Sequence, residues 1–450
     1  MRKTLTLIFL LGFALTACAP STPEPPNWDN YDPFANPFAS GTQPAIPLSE
    51  LLPPTRAAGT PVISPTPDAA HYQSTGSPGP RFKIIPDSEL VYGPASLLLN
   101  TEEYVNRKGG YLASYTEEVD GAVLSGAEIV TFVAQNYSVN PRLLLALLEY
   151  QSGWVTQAAV DEQYFPLRYY DDWHAGLYRQ LTWTANELNR GYYLWKAYAV
   201  TEWSLADGGV VAINPSINAG TAALQNYFAL LYSLGVWEYD VSENGFFATY
   251  NALFGYPFDY AVEPLLPVGL TQPAMVLPFS VGETWSFTGG PHGGWDTGSG
   301  WAALDFAAPG DPIGCAPAPA WVLAAAPGVV VRADDGAVVV DLDGDGYEQT
   351  GWSLLYMHIS SDGRVQPGSR LEVGDRIGHP SCEGGLSYAS HLHFARRYNG
   401  EWIPADGSIP FVMDGWRSSG TGGEYDGYLK RGTETVEAWD GYNPINQITR

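Results

Sequence analysis

The chain has 450 residues, with 48 acidic against 22 basic side chains and a formal net charge of −26. That length allows two or three domains with sizeable cores. The acidity argues against nucleic acid, and against a basic membrane-binding surface, as partners. An apolar content of 45% is ordinary for a soluble globular protein.

Residues 1–18 read as a targeting segment. Arg2 and Lys3 form its positive start, and the apolar run 4–17 is too short to span a bilayer comfortably. Leu15-Thr16-Ala17-Cys18 resembles a bacterial lipobox. The resemblance implies a lipid on Cys18 and a place in the cell envelope, membrane-anchored and facing outside the cytoplasm. A plain secretory signal with an incidental cysteine is the alternative. With Cys18 set aside, Cys315 and Cys382 remain. Export to an oxidising compartment permits a disulfide between them, and two buried free thiols are the other possibility. Residues 19–80 are dense in Pro, Ser, Thr and Gly and read as a disordered tether. His71, inside it, reads as a solvated bystander.

From 81 to 272 the pattern is helical. Runs at 128–135 and 141–150 carry apolar residues at helical spacing. Asn140-Pro141 has the form of an N-cap followed by proline at the first helical position, and Gly153 that of a stop. Further runs are expected at 176–205, 218–234 and 243–252. Trp173, Trp183, Trp195, Trp203 and Trp237 suggest a tryptophan-rich packing core. The stretch 139–153 resembles the catalytic helix of lytic transglycosylases and related lysozyme-like proteins. Thr249-Tyr250-Asn251-Ala252 resembles their Tyr-Asn-Ala signature. The acid of that family should precede the Ser-Gly pair, but the residue there is Gln151. Glutamine cannot protonate a glycosidic oxygen, and Glu149 lies on another face of the helix. The resemblance therefore implies a degenerate lysozyme-like domain. An unrelated helical domain and an active glycosidase are the alternatives. His174 has no evident partner and reads as structural.

From 273 to 450 short β-rich runs alternate with Gly, Pro and Asp turns. Gly328-Val329-Val330-Val331 and Ala337-Val338-Val339-Val340 flank Asp334-Asp335-Gly336, a hairpin signal. Runs at 352–359, 373–377 and 391–397 continue an antiparallel pattern. Asp341-Leu342-Asp343-Gly344-Asp345-Gly346 resembles the first half of an EF-hand loop. Its closing glutamate position is Trp352, so a tight acidic turn explains it better than bound calcium.

Five of the seven histidines fall between His292 and His393. In Ser390-His391-Leu392-His393-Phe394 the two histidines point to one face of an extended segment, because side chains alternate along a strand. Zinc hydrolases use three protein ligands and keep a position open for water. The chain offers His292, Asp305 and His393 as ligands. His358 and His391 are left for the proton and the developing oxyanion. His379, before Pro380, matches no ligand position and reads as a satisfied structural residue.

Residues 275–430 resemble the lysostaphin-type zinc endopeptidases that cut peptidoglycan peptides, and the staphylolysin branch in particular. Most of that family shows His-x-x-x-Asp, and Asp305-Phe306-Ala307-Ala308-Pro309-Gly310 matches its second half. The expected histidine is Trp301, which cannot bind zinc. The staphylolysin branch carries its first histidine further upstream, in a Gly/Ser-rich loop. Pro291-His292 followed by Thr297-Gly298-Ser299-Gly300 fits that spacing, as do Cys382-Glu383-Gly384-Gly385 and Tyr398-Asn399-Gly400. The resemblance implies a zinc cofactor and hydrolysis of peptide bonds in peptidoglycan cross-bridges or stem peptides. It also implies a tyrosine that stabilises the oxyanion, for which Tyr425 is the candidate and Tyr428 its near neighbour. The expected fold is multidomain α and β: a helical lysozyme-like domain at 81–272, then an antiparallel β-sheet zinc peptidase domain at 273–450. Gln151 and Trp301 motivate one rival, a non-catalytic wall-binding or hydrolase-activating protein built from degenerate enzyme domains.

Overall fold

A computed structural model describes residues 79–310 and 314–450. The targeting segment, Cys18, His71 and all but the end of the tether lie outside the described residues. Among those residues no helix is long and apolar enough to cross a membrane.

The N-terminal half is helical: Thr101–Lys108, Gly126–Tyr137, Pro141–Ser152, Leu177–Lys196, Ala219–Leu231, Leu234–Asp240 and Phe246–Phe254. Local chemistry sets several of the ends. Ser125 and Glu128 form a capping box, each satisfying a backbone N–H of the first turn. Asn140 caps the Pro141–Ser152 helix, and Gly153 ends it at φ 70°. The run expected to reach 205 stops at Lys196, and a small hairpin, Glu202–Ser204 with Val210–Ala212, follows. The Leu177–Lys196 helix is buried on nearly every side. It packs tightly on Ala219–Leu231 at Gly191, where a Cβ would stand 2.7 Å from the Asn226 side chain and 2.9 Å from the Ala223 backbone. No free acid occupies the Pro141–Ser152 helix where the resemblance sought one. Gln151 is buried and accepts a 2.6 Å hydrogen bond from Tyr232. Glu149 accepts from the Val155 and Thr156 backbone at 3.0 Å.

The C-terminal half is built on a nine-stranded antiparallel sheet. Its path runs Arg370–Leu371, Gly328–Asp334, Ala337–Asp341, Trp352–Met357, Leu392–Tyr398, Ala303–Ala307, Thr284–His292 and Gln447–Thr449, with Glu401–Trp402 paired to the fifth of these. The expected hairpin turns at Asp335 and Gly336, both at positive φ, as a tight primed turn requires. The run expected at 373–377 is shorter, Arg376–Gly378, because Gly374 turns the chain at φ 91°. A second sheet of four strands, Val412–Met413, Trp416–Gly420, Gly427–Arg431 and Glu434–Glu437, packs beside the first.

Both faces of the central strands are covered, so these strands read as near-continuous apolar runs. On one face Leu304, Phe306, Val338, Val340, Leu354, Tyr356, Leu392 and Phe394 form the core of the β half. On the other face Ala303, Ala337, Val339, Leu355, Met357 and Ala395 join Trp295, Trp301 and Trp402 in a core continuous with the helices. Trp301, at the position where the common family pattern carries a histidine, is a buried packing residue there. Buried polar contacts lock the two halves together. Glu348 pairs with both Arg332 and Arg397, Arg332 donates to the Asn136 side chain at 2.7 Å, and Arg397 donates to the Gln135 carbonyl at 3.2 Å. The helical half therefore sits on the sheet face that carries Asp305 and His393.

Cys315 and Cys382 are joined in a disulfide that closes a separation of 67 residues. A loop of that size raises stability chiefly by restricting the unfolded chain, by about 4 kcal/mol. Cys315→Ser is expected to lower stability by that amount, read as a shift of the urea midpoint for the β half. A variant with an unchanged midpoint would show the bridge to be incidental.

Candidate metal centre and active-site cleft

Strand pairing brings the candidate residues together. His393 lies opposite Asp305 on one side and opposite Met357, the residue before His358, on the other. His292 arrives differently. The Thr284–His292 strand pairs Gly289 with Asp305 but His292 with Ala303, so it carries an extra residue, a β-bulge that re-aims the side chain. The bulge needs glycine: a Cβ on Gly289 would stand 2.6 Å from the Asp305 carboxylate.

The three side chains converge through one atom each. Asp305 Oδ1 lies 3.3 Å from His292 Nε2 and 3.3 Å from His393 Nδ1, and the two nitrogens are 3.0 Å apart. All three residues are buried. The opposite ring nitrogens are spoken for, since His292 Nδ1–H donates to the Gly290 carbonyl at 2.8 Å and His393 Nε2–H to the Gly294 carbonyl at 3.1 Å. Those bonds set the tautomers and leave lone pairs on the facing nitrogens. Asp305 Oδ1 itself accepts no hydrogen bond. A buried carboxylate oxygen without a donor, facing two imidazole lone pairs, is costly unless a cation sits among them. The donor set, two imidazoles and a carboxylate, suits zinc. Electrostatics agree. Burial disfavours charge on Asp305, but His292 and His391 outweigh it and hold the carboxyl well below its usual range. At His292 burial opposes the cation, but the Asp305 charge prevails and raises its pKa.

Around this centre lies a cleft of about 820 Å³. His391 lines it with Nε2 3.6 Å from Asp305 Oδ1, while its Nδ1–H donates to the Ala389 carbonyl at 2.8 Å. His358 is buried, its ring 4.5 Å from that of His391, and its Nδ1–H donates to the Glu383 carbonyl at 3.3 Å. Burial first, then the neighbouring His391 and His393, hold its pKa well below the ordinary histidine value. His358 is thus neutral at pH 7. Tyr425 stacks on His292 with ring centroids 4.2 Å apart and is 52% exposed at the cleft. Burial around its hydroxyl, then the Asp305 charge, push its pKa up, so it is a proton-bearing donor at neutral pH. Tyr428 does not line the cleft and instead pairs with Ser419 and Glu437 between strands.

The other histidines fall outside. His379 packs against Trp321 with the rings tilted by 44° and donates to the Ala320 carbonyl at 3.0 Å. His174 is buried and held by Asp171 at 2.7 Å. Asp341, Asp343 and Asp345 do cluster, but their carboxylates accept from the backbone of their own turn, and the twelfth position is the buried Trp352. Sequence reasoning missed the orienting carbonyls of Gly290, Gly294 and Glu383, since any residue carries a carbonyl. It also missed Tyr137, which reaches the cleft from the helical half. No local signal marks that residue.

A buried His₂–carboxylate centre, with two further histidines and a tyrosine facing one cleft, defines a metallo-hydrolase site. Residues 301–405 match the description of peptidase family M23, and residues 83–266 that of the LasA N-terminal domain. Two curated relatives, each named Protease LasA, come from Pseudomonas aeruginosa strains UCBPP-PA14 and PAO1. The first is 26% identical over 75% of this chain and 82% of its own length. The second is 27% identical over 60% of this chain and 66% of its own length, just under two thirds. A solved structure of the M23 metalloprotease pseudoalterin, described as from the deep sea, aligns with 38% of this chain and 99% of its own at 25% identity and TM-score 0.31. Residues 301–405 therefore carry a peptidase domain of family M23, and the chain is a metallo-endopeptidase.

Proposed function

We propose that this chain is a lipid-anchored, zinc-dependent endopeptidase that hydrolyses peptide bonds in peptidoglycan cross-bridges or stem peptides. In this reading residues 81–272 are a lysozyme-like scaffold that lacks the acid, and residues 273–450 are the peptidase. The observation that carries the reading is the convergence of His292 Nε2, Asp305 Oδ1 and His393 Nδ1, whose ligand atoms lie within 4.8 Å of one another. The anchor is supported by Leu15-Thr16-Ala17-Cys18 alone, and work outside the cytoplasm by the disulfide.

His292, Asp305 and His393 would hold the zinc. Bound there, zinc supplies Lewis-acid chemistry, acidifying a water and polarising the scissile carbonyl. The rest falls to the chain's own groups. His391 has its Nδ1–H committed to the Ala389 carbonyl, so Nε2 presents a lone pair to the cleft. It takes the proton of the attacking water and returns it to the leaving amine. His358 donates through Nδ1 to the Glu383 carbonyl, which leaves its Nε2 as an acceptor. That geometry suits sharing the proton with His391 better than donating to an oxyanion. The Tyr425 hydroxyl, a donor held protonated, then serves the developing oxyanion.

The test is zinc-loaded, purified protein acting on purified peptidoglycan, read as new free amines. Metal-loaded protein that releases none would sink the reading. His358→Ala is expected to lower kcat by about 10²-fold or more, the usual contribution of a positioned proton-transfer group, with bound zinc unchanged. Loss of zinc in that variant would instead make His358 a ligand.

A further inference from the structure

The metal centre depends on one loop, residues 293–300, which contributes the Gly294 carbonyl that orients His393. The loop has little regular structure of its own. Its internal bonds are few: Ser299 Oγ accepts from the Trp295 backbone and donates to the Asp296 carbonyl, each at 3.0 Å, Gly294 N–H donates to the Gly300 carbonyl at 3.0 Å, and Thr297 N–H donates to Asp296 Oδ1 at 2.6 Å. Much of what else holds it comes from the helical half.

Those contacts descend one face of the Leu177–Lys196 helix. Asn186 Oδ1 accepts from the Gly298 N–H at 2.7 Å. One turn on, Arg190 Nη2 donates to Thr297 Oγ1 at 3.0 Å, with its Nε braced on Glu187 at 3.0 Å. Tyr193 Oη then accepts from the Trp402 N–H at 2.8 Å. From the neighbouring helix, Tyr137 Oη donates to Asp296 Oδ2 at 3.2 Å. Two glycines admit the close approach. A Cβ on Gly298 would stand 2.0 Å from the Asn186 carbonyl oxygen, and one on Gly294 would stand 2.4 Å from the Trp402 indole. The spacing 186, 190, 193 is the i, i+4, i+7 repeat that puts residues on one helix face.

We infer that the Leu177–Lys196 helix is a splint for the metal centre, in which Asn186 and Arg190, through Gly298 and Thr297, hold the Gly294 carbonyl against His393. They are positioning residues and touch neither metal nor substrate. Metal affinity is then partly a property of the helical half. Partners that orient a metal ligand commonly change affinity by about 10–100-fold when removed.

The inference rests on His292, Asp305 and His393 being the ligands, and one experiment separates the two claims. Zinc dissociation constants are measured by chelator competition on the full chain for wild type, Asn186→Ala, Thr297→Val, Thr297→Ser and Lys196→Ala. Lys196 contacts Glu401 across the same domain boundary at 2.5 Å but not the loop. Asn186→Ala and Thr297→Val are expected to weaken zinc about ten-fold or more. Thr297→Ser, which keeps the acceptor, and Lys196→Ala should stay within about two-fold of wild type, below that range. Thr297→Val lies on the loop side, so the result survives if Asn186→Ala fails to fold. Wild-type affinity in both Asn186→Ala and Thr297→Val, or an equal loss in Lys196→Ala, would overturn the splint. A wild-type chain that binds no zinc would overturn the ligand assignment itself.

Discussion

His393→Ala is expected to abolish both metal retention and peptidoglycan cleavage. His393 Nδ1 is one of three converging donors, and its loss leaves His292 and Asp305, too few for a three-ligand hydrolytic zinc site. The loss of affinity should exceed the roughly 100-fold that follows removal of a mere orienting partner. Metal content after dialysis and amine release from peptidoglycan measure the two effects. Treating wild type with a chelator should reproduce the activity loss, and zinc should restore it there but not in the variant. Activity that survives in metal-free His393→Ala would place the chemistry elsewhere in the cleft. The fold should tolerate the change, because Leu392 and Phe394, on the opposite face of the strand, carry the packing.

Glu348→Ala should have the largest effect on stability. Its carboxylate is buried between Arg332 and Arg397, both also buried, and these arginines reach Asn136 and Gln135 of the helical half. The two guanidiniums together hold Glu348 below its usual carboxylate pKa, although burial, the largest influence, acts the other way. Deleting it leaves two buried cations side by side, offset only by the largely exposed Asp334, 3.5 Å from Arg332. Breaking a buried pair in this way costs about 3–5 kcal/mol. We expect the helical and β halves to separate earlier in a urea titration, read by limited proteolysis at the boundary. Glu348→Gln keeps the volume and part of the hydrogen bonding, so it should lose less. Equal resistance of Glu348→Ala and wild type would show that the apolar core around Trp295, Trp301 and Trp402 suffices to join the halves.

Several features of the site were readable because they follow from local periodicity. His391 and His393 share a face because strand side chains alternate, and Leu392 and Phe394 occupy the core opposite, as expected. The Asn140-Pro141 start, the Gly153 stop and the Asp335-Gly336 turn follow from cap and turn chemistry. Where the expectations slipped, the cause was context. The helix starting at Leu177 ends at Lys196 because the chain there turns into a hairpin under tertiary packing, although apolar residues continue to 205. The run at 373–377 shortens because Gly374 sits in a turn.

By itself the sequence determined which residue types could make a metal centre and that Trp301 was not among them. The resemblance to the staphylolysin branch, and not the residues alone, marked a Gly/Ser-rich loop as the route by which His292 returns to Asp305. Only the tertiary structure decided how His292 is aimed, because a β-bulge is a property of two paired strands and not of one. It alone separated Tyr425 from Tyr428, three residues apart, by stacking one on His292 and setting the other in a sheet. It also placed the Leu177–Lys196 helix against the 293–300 loop, more than a hundred residues away in the chain. Contacts of that range carry no local signature, since each depends on where both partners have already been packed.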